Sequence, residues 1–145
     1  MGSLSETGKN HILFFFNSSE EIPLFKIDGV LMEQVFHNII HNAIEYSPAG
    51  TTITINLMRV QKGFKVEISD TGPGFPEDKL ERVFEKFYRL PHTATGGTGL
   101  GLSIAQGFVR AHNGTITLEN LTTGGAKFII EIPAEMATLT TKDDE

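Results

Sequence analysis

Residues 52–70 read TITINLMRVQKGFKVEISD. Ile53, Ile55 and Leu57 alternate with polar residues, Phe64, Val66 and Ile68 do the same, and Gln61-Lys62-Gly63 joins the two runs. Two period-2 stretches on a short polar connection predict a β-hairpin with one buried face. On the N-terminal side, Asp28 is an N-cap for a helix running to Tyr46, which Ser47-Pro48-Ala49-Gly50 stops. Further upstream, residues 11–16 and 24–27 read as short strands around a turn at 18–23. On the C-terminal side a glycine-rich stretch contains a short amphipathic piece at 77–84, followed by a second helix over 99–112 that Asn113-Gly114 ends. Ile116 and Leu118, with Phe128, Ile130 and Ile132, form a closing hairpin about Gly124-Gly125. Strands arrive in hairpins and helices separately, which predicts an α+β fold, a two-layer sandwich with a mixed or antiparallel sheet.

The chain of 145 residues falls in the size range of one domain. Residues 11–133 carry the pattern. Residues 1–10 read as an artificial leader, and the polar stretch 134–145 as a frayed tail; both stand outside the predicted fold. Twelve Lys+Arg against 18 Asp+Glu give a formal charge of −6, the wrong balance for a nucleic-acid or anionic-membrane surface. The longest apolar run, residues 12–16, is far short of the ~20 residues that span a bilayer. The absence of Cys excludes disulfides, thiolate zinc sites and Cys nucleophiles, and fits a reducing, cytoplasmic setting.

Projected at roughly 100° per residue, Leu31, Val35, Ile39, Ala43 and Tyr46 form one stripe of the first helix, widened by Phe36, Ile40 and Ile44. Asn42 falls inside this apolar arc, and Asn38 lies one turn earlier at its edge. A buried amide without a partner costs on the order of 1–3 kcal/mol, so something must satisfy it. A neighbouring loop would serve; so would a hard cation such as Mg²⁺, which takes a neutral protein oxygen together with phosphates and waters. The helix alone leaves both open.

Asp70-Thr71-Gly72-Pro73-Gly74-Phe75 follows a strand. It is either a plain turn or a rim carboxylate beside bare backbone. Such a carboxylate accepts from the exocyclic amine of adenine and rejects guanine, whose oxygen there is also an acceptor. Gly96-Gly97-Thr98-Gly99-Leu100-Gly101-Leu102 leads into the second helix. It reads as a flexible linker or as an anion cradle of helix-end amides. Its spacing matches neither the Walker nor the dinucleotide pattern. Phe84 and Phe87 read as core anchors at the edge of a lid-like stretch, residues 90–97.

Asn38-x-x-x-Asn42, Asp70-x-Gly72-x-Gly74, Phe84-x-x-Phe87, Gly97-x-Gly99-x-Gly101 and Gly124-Gly125 stand in this order over residues 24–133. Together they resemble the N, G1, F, G2 and G3 boxes of the ATP-binding catalytic domain of sensor histidine kinases, in the GHKL superfamily. The strings FEKFYRLPHTATGGTGLGLSIAQGF and NGTITLEN are most similar to the potassium-sensing branch. The resemblance implies the Bergerat fold, a five-stranded mixed sheet packed on three helices, with ATP and Mg²⁺ as ligands. It implies Mg²⁺ on Asn42, with Asn38 assisting near the phosphates. It also implies Asp70 on the adenine amine, Gly72 and Gly74 giving access to the base, and Tyr46 beside it. In the Gly97 loop, the amides of Gly99, Leu100, Gly101 and Leu102 would hold phosphates, and Arg89 would meet the γ-phosphate.

Two positions depart from the family pattern. Glu45 stands where the family often has a Lys that reaches the phosphates, so it is expected to turn to solvent or to weaken affinity. Ala126 stands where the G3 box often has Thr. None of His11, His37, His41, His92 and His112 sits in an acceptor motif. The resemblance therefore implies a catalytic domain that phosphorylates a histidine on a separate dimerisation domain of the same kinase, with a response regulator as indirect partner. The parent protein is expected to be anchored in the inner membrane. A gyrase- or chaperone-like ATPase would carry a Glu base where this chain has Asn38, and a degenerate nucleotide- or partner-binding domain has only Glu45 in its favour.

Overall fold

A computed structural model describes residues 2–7, 12–18, 25–86 and 101–135. The first helix, α1 (Gly29–Tyr46), starts where Asp28 caps it: Oδ1 accepts the Leu31 N–H at 3.1 Å, and the Asp28 carbonyl accepts the Met32 N–H at 3.0 Å. It ends where the Ser47 N–H donates to the Ile44 carbonyl, the Ser47 hydroxyl donates to the Ala43 carbonyl at 2.6 Å, and Pro48 follows. Met32, Val35, Ile39 and Ala43 are its buried stripe. The expected stripe began at Leu31, which is half-buried. Met32 takes its place because the 32-35-39-43 spacing stays on one line of a 3.6-residue helix.

The second helix, α2 (Gly101–Ala111), buries Leu102, Ala105 and Val109 and packs against α1. It closes with the Asn113 N–H on the Arg110 carbonyl and the Gly114 N–H on the Val109 carbonyl, with Asn113 at φ 62. This is the left-handed cap expected of Asn-Gly.

Six strands form one sheet: β1 (Gly2–Thr7), β2 (Ile12–Ser18), β3 (Thr52–Val60), β4 (Gly63–Asp70), β5 (Thr115–Asn120) and β6 (Ala126–Pro133), in the order β1-β2-β3-β4-β6-β5. The four strands β3, β4, β6 and β5 are antiparallel neighbours, whereas β2 joins β3 in parallel, with α1 between them in the chain. One face of the sheet presents Ile53, Phe64, Val66, Ile68, Ile116, Leu118, Phe128, Ile130 and Ile132 to the helices. On strands β4 and β6, Glu67 lies between Lys65 and Lys127 at 3.7 Å each, on the alternate positions. Fully burying an Ile contributes about 1.5–3 kcal/mol, and Ile39, Ile53 and Ile130 are wholly buried.

The α+β, helix-on-sheet architecture is as expected, and the structure corrects its details. The sheet has six strands among the described residues rather than five. The extra strand, β1, lies in the segment read as a leader. Its sequence, GSLSET, has a single apolar residue, so no alternation marks it, and its pairing with β2 uses backbone groups that any residue supplies. Finally, the strand expected over 24–27 reduces to a bridge at Phe25. Two α-helices are described, and two single-turn 3-10 helices, Glu77–Lys79 and Arg82–Phe84, replace the amphipathic piece at 77–84. Phe84 is buried and meets Phe128 edge-on at 6.2 Å, so it is a core anchor.

Candidate functional site

Asn42 lies on α1 one turn before its C-terminus. Its Oδ1 is buried and accepts no hydrogen bond among the described residues. Of the two satisfiers open to the sequence, the neighbouring loop does not supply one among the described residues. An amide oxygen left this way costs about 1–3 kcal/mol, which a protein keeps only where a ligand supplies the missing partner or another constraint holds the residue. Asn38 is half-buried one turn earlier. A Cβ built on Gly101, at the start of α2, would come 3.9 Å from the Asn38 Cβ. The N-terminal end of α2 therefore faces α1 at Asn38. The amides of Gly101 and Leu102 are in the opening turn of α2, where N–H groups have no partner within the helix. The Leu102 side chain itself is buried in the core.

Asp70 closes β4 at the sheet rim. Its Oδ1 accepts the Gly72 N–H at 2.9 Å and the Ala126 N–H at 3.4 Å. Burial pushes its carboxyl above the ordinary aspartate value of 3.8, and the two backbone bonds pull against that. No hydrogen bond to Oδ2 occurs among the described residues. The loop that follows touches the end of α1: a Cβ on Gly72 would lie 3.7 Å from Pro48 Cδ and 3.9 Å from Thr51 Oγ1. Thr71 and Thr52 exchange two bonds there, Thr71 N–H to the Thr52 carbonyl at 3.2 Å and Thr52 N–H to Thr71 Oγ1 at 3.0 Å. The Asp70 loop thus meets the segment that leads from α1 into β3.

Two glycines around the Asp70 loop are required by geometry. Gly125, at φ +95, packs on the Asp70 carbonyl so closely that any side chain would overlap it. Gly74, at φ +79, would put a Cβ 2.8 Å from Asn120 Oδ1. Ala126 has no hydroxyl to offer, but its backbone N–H reaches the Asp70 carboxylate. Glu45 is half-buried rather than turned fully to solvent, with an oxygen 3.9 Å from His41 Nε2. The exposed His37 and His41 stack on the outside of α1, and His112 Nδ1 sits 2.8 Å from the Phe108 carbonyl. The Tyr46 side chain, Arg89, Gly97, Gly99 and Leu100 lie outside the described residues, as do His11, His92, Phe87 and the stretch 90–97.

A residue missed in the sequence is Asn120. From the end of β5 its amide makes three hydrogen bonds, two to the Phe75 backbone and one to Glu77. The only trace in the sequence is a polar residue ending an alternating strand.

The family model described as "Histidine kinase-, DNA gyrase B-, and HSP90-like ATPase" matches residues 27–136. The chain belongs to this family. Within it, the chain is an ATP-binding catalytic domain of the histidine-kinase type. It is 41% identical over 128 residues to "Hybrid signal transduction histidine kinase D" of Dictyostelium discoideum, covering 83% of this chain and 8% of that protein. It is 41% identical over 116 residues to "Adaptive-response sensory kinase SasA" of Nostoc sp., covering 79% of this chain and 29% of the kinase. The "Sensor protein KdpD" of Clostridium acetobutylicum is 38% identical over 120 residues, covering 81% and 13%, no nearer than the others. Among solved structures, full-length ShkA in complex with AMPPNP superposes with a TM-score of 0.77 at 26% identity, over 90% of this chain and 27% of that one. The chain spans under a third of the length of these relatives. No helix among the described residues is long and apolar enough to cross a membrane.

Proposed function

We propose that this domain binds Mg·ATP at the junction of α1, the Asp70 loop and the start of α2. From there it transfers the γ-phosphoryl to a histidine on a separate dimerisation/phospho-acceptor domain of the same kinase. A response regulator then receives the group indirectly, and the parent kinase is anchored in a membrane with this domain in the cytoplasm.

The observation that carries this reading is the buried Oδ1 of Asn42, which has no partner among the described residues, in a fold that also holds the Asp70 carboxylate at the sheet rim by one oxygen. A neutral oxygen in a partly closed site suits Mg²⁺, which takes few protein ligands and keeps phosphates and waters. Asn42 would hold the ion, and Asn38 would assist beside it. When bound, the ion neutralises charge on the phosphates. Asp70 accepts the adenine amine and orients the base, Gly72 and Gly74 leave its edge accessible, and Tyr46 packs against it. The amides of Gly99, Leu100, Gly101 and Leu102, in the loop from Gly97, hold the phosphate oxygens, and Arg89 meets the γ-phosphate. The domain supplies position and charge, because the nucleophile is the acceptor histidine. Water attack is disfavoured because the residue four before Asn42 is Asn38, an amide that takes no proton.

The test is transfer in trans. Labelled ATP, this domain and its parent's acceptor helix are expected to mark that helix, and Asn42→Ala to abolish both the label and Mg-dependent nucleotide binding. Nucleotide binding without any label on the helix would contradict the transfer.

A further inference from the structure

Asn120 is too fully engaged to be an ordinary strand-end asparagine. Oδ1 accepts the Phe75 N–H at 2.9 Å, while Nδ2 donates to the Phe75 carbonyl at 2.7 Å and to Glu77 Oε2 at 2.8 Å. Both amide protons and the oxygen are in use, and the partners fix which way the amide faces. Flipped, its NH₂ would meet the Phe75 N–H and its oxygen would meet the Glu77 carboxylate. Engaging the N–H and the carbonyl of one residue makes the side chain act like a paired strand. It does so across 45 positions of the chain.

This clamp holds the far end of the loop that begins at Asp70. The near end is fixed by the Gly72 and Ala126 N–H groups on Asp70 Oδ1. At the far end Phe75 is buried and meets Phe128 edge-on at 6.5 Å, and Gly74 has no room for a side chain against Asn120. Asn120 pairs with Ala126 across the β5–β6 ladder, so the strand that carries the clamp is also tied to the strand that supports the carboxylate. Gly72 and Gly74 lie between the two anchors.

We propose that Asn120 is a positioning residue for purine recognition: with Glu77 setting its amide, it fixes the Gly72–Gly74 backbone relative to Asp70 and so sets the preference for adenine over guanine. This rests on the reading that Asp70 receives the adenine amine.

The test titrates the folded domain with ATP, GTP and inorganic tripolyphosphate, each with Mg²⁺. Asn120→Ala is expected to lower ATP affinity by about tenfold and to narrow the ATP-over-GTP ratio, with tripolyphosphate affinity unchanged. Glu77→Ala, at an exposed residue, keeps the question answerable if Asn120→Ala does not fold; it is expected to narrow the ratio by about threefold. Asn120→Asp places a second carboxylate against Glu77 and is expected to bind ATP worse than Asn120→Ala. Adding Glu77→Gln restores a donor to that pair and is expected to recover part of the ratio. Equal losses for ATP and tripolyphosphate, or an unchanged ratio in folded Asn120→Ala, would overturn the positioning role. If Asp70→Asn itself leaves the ratio unchanged, the adenine reading fails and the role of Asn120 fails with it. A ratio that responds to Asp70→Asn but not to Asn120→Ala or Glu77→Ala overturns Asn120 alone.

Discussion

Asp70 and Asn42 each carry an oxygen assigned to the proposed site, yet their surroundings differ. The Asp70 carboxylate is built into the fold: two backbone N–H groups hold one oxygen, Gly125 packs on its carbonyl, and Asn120 clamps the loop beyond it. The Asn42 oxygen has burial and no donor among the described residues. On the proposed reading, the carboxylate that would meet the base is positioned before nucleotide arrives, whereas the oxygen that would meet the cation carries a desolvation cost that the ion would offset. Such a division would make nucleotide affinity depend on the ion.

The largest effect expected from this contrast is at Asn42. Asn42→Leu removes the unsatisfied oxygen, so it is expected to abolish Mg-dependent ATP binding while raising unfolding stability by about 1–3 kcal/mol in denaturant titration. A variant that binds normally, or that loses stability by a similar amount, breaks the contrast. Asp70→Asn comes next. It exchanges a buried charge for an amide whose oxygen can still accept from Gly72 and Ala126. ATP affinity is expected to fall about tenfold by calorimetry, without a lower melting temperature.

Acid sharpens the same point. Because burial raises the Asp70 pKa, the stability this group contributes is present below 3.8 and lost as pH rises through its folded value. Under the proposed adenine role of Asp70, binding runs the other way, because the amine would need the ionised carboxylate. ATP affinity is expected to weaken as pH falls toward that raised value, a dependence that Asp70→Asn removes. The smallest effect belongs to Glu45, a partly exposed carboxylate on the same helix as Asn42. Glu45→Lys is expected to raise ATP affinity by about threefold, less in high salt, in line with the modest worth of partly solvated charges.

Most of the scaffold was legible because it rests on local rules. Asp28 and Ser47-Pro48 mark the ends of α1, alternation marks β3, β4, β5 and β6, and Asn113-Gly114 closes α2. Asn42 stood out for breaking an apolar arc. What stayed hidden depends on backbone or distant partners. β1 has no alternation to show, Ala126 acts through its N–H, and Asn120 meets a loop 45 residues away. Nothing in the neighbouring sequence announces such contacts.

The most direct measurement is a crystal structure of the domain grown with ATP and Mn²⁺ and read by anomalous scattering. A manganese peak is expected within coordination distance of Asn42 Oδ1, with the adenine amine on Asp70. A peak on other residues, with Asn42 Oδ1 still lacking a partner, would contradict it.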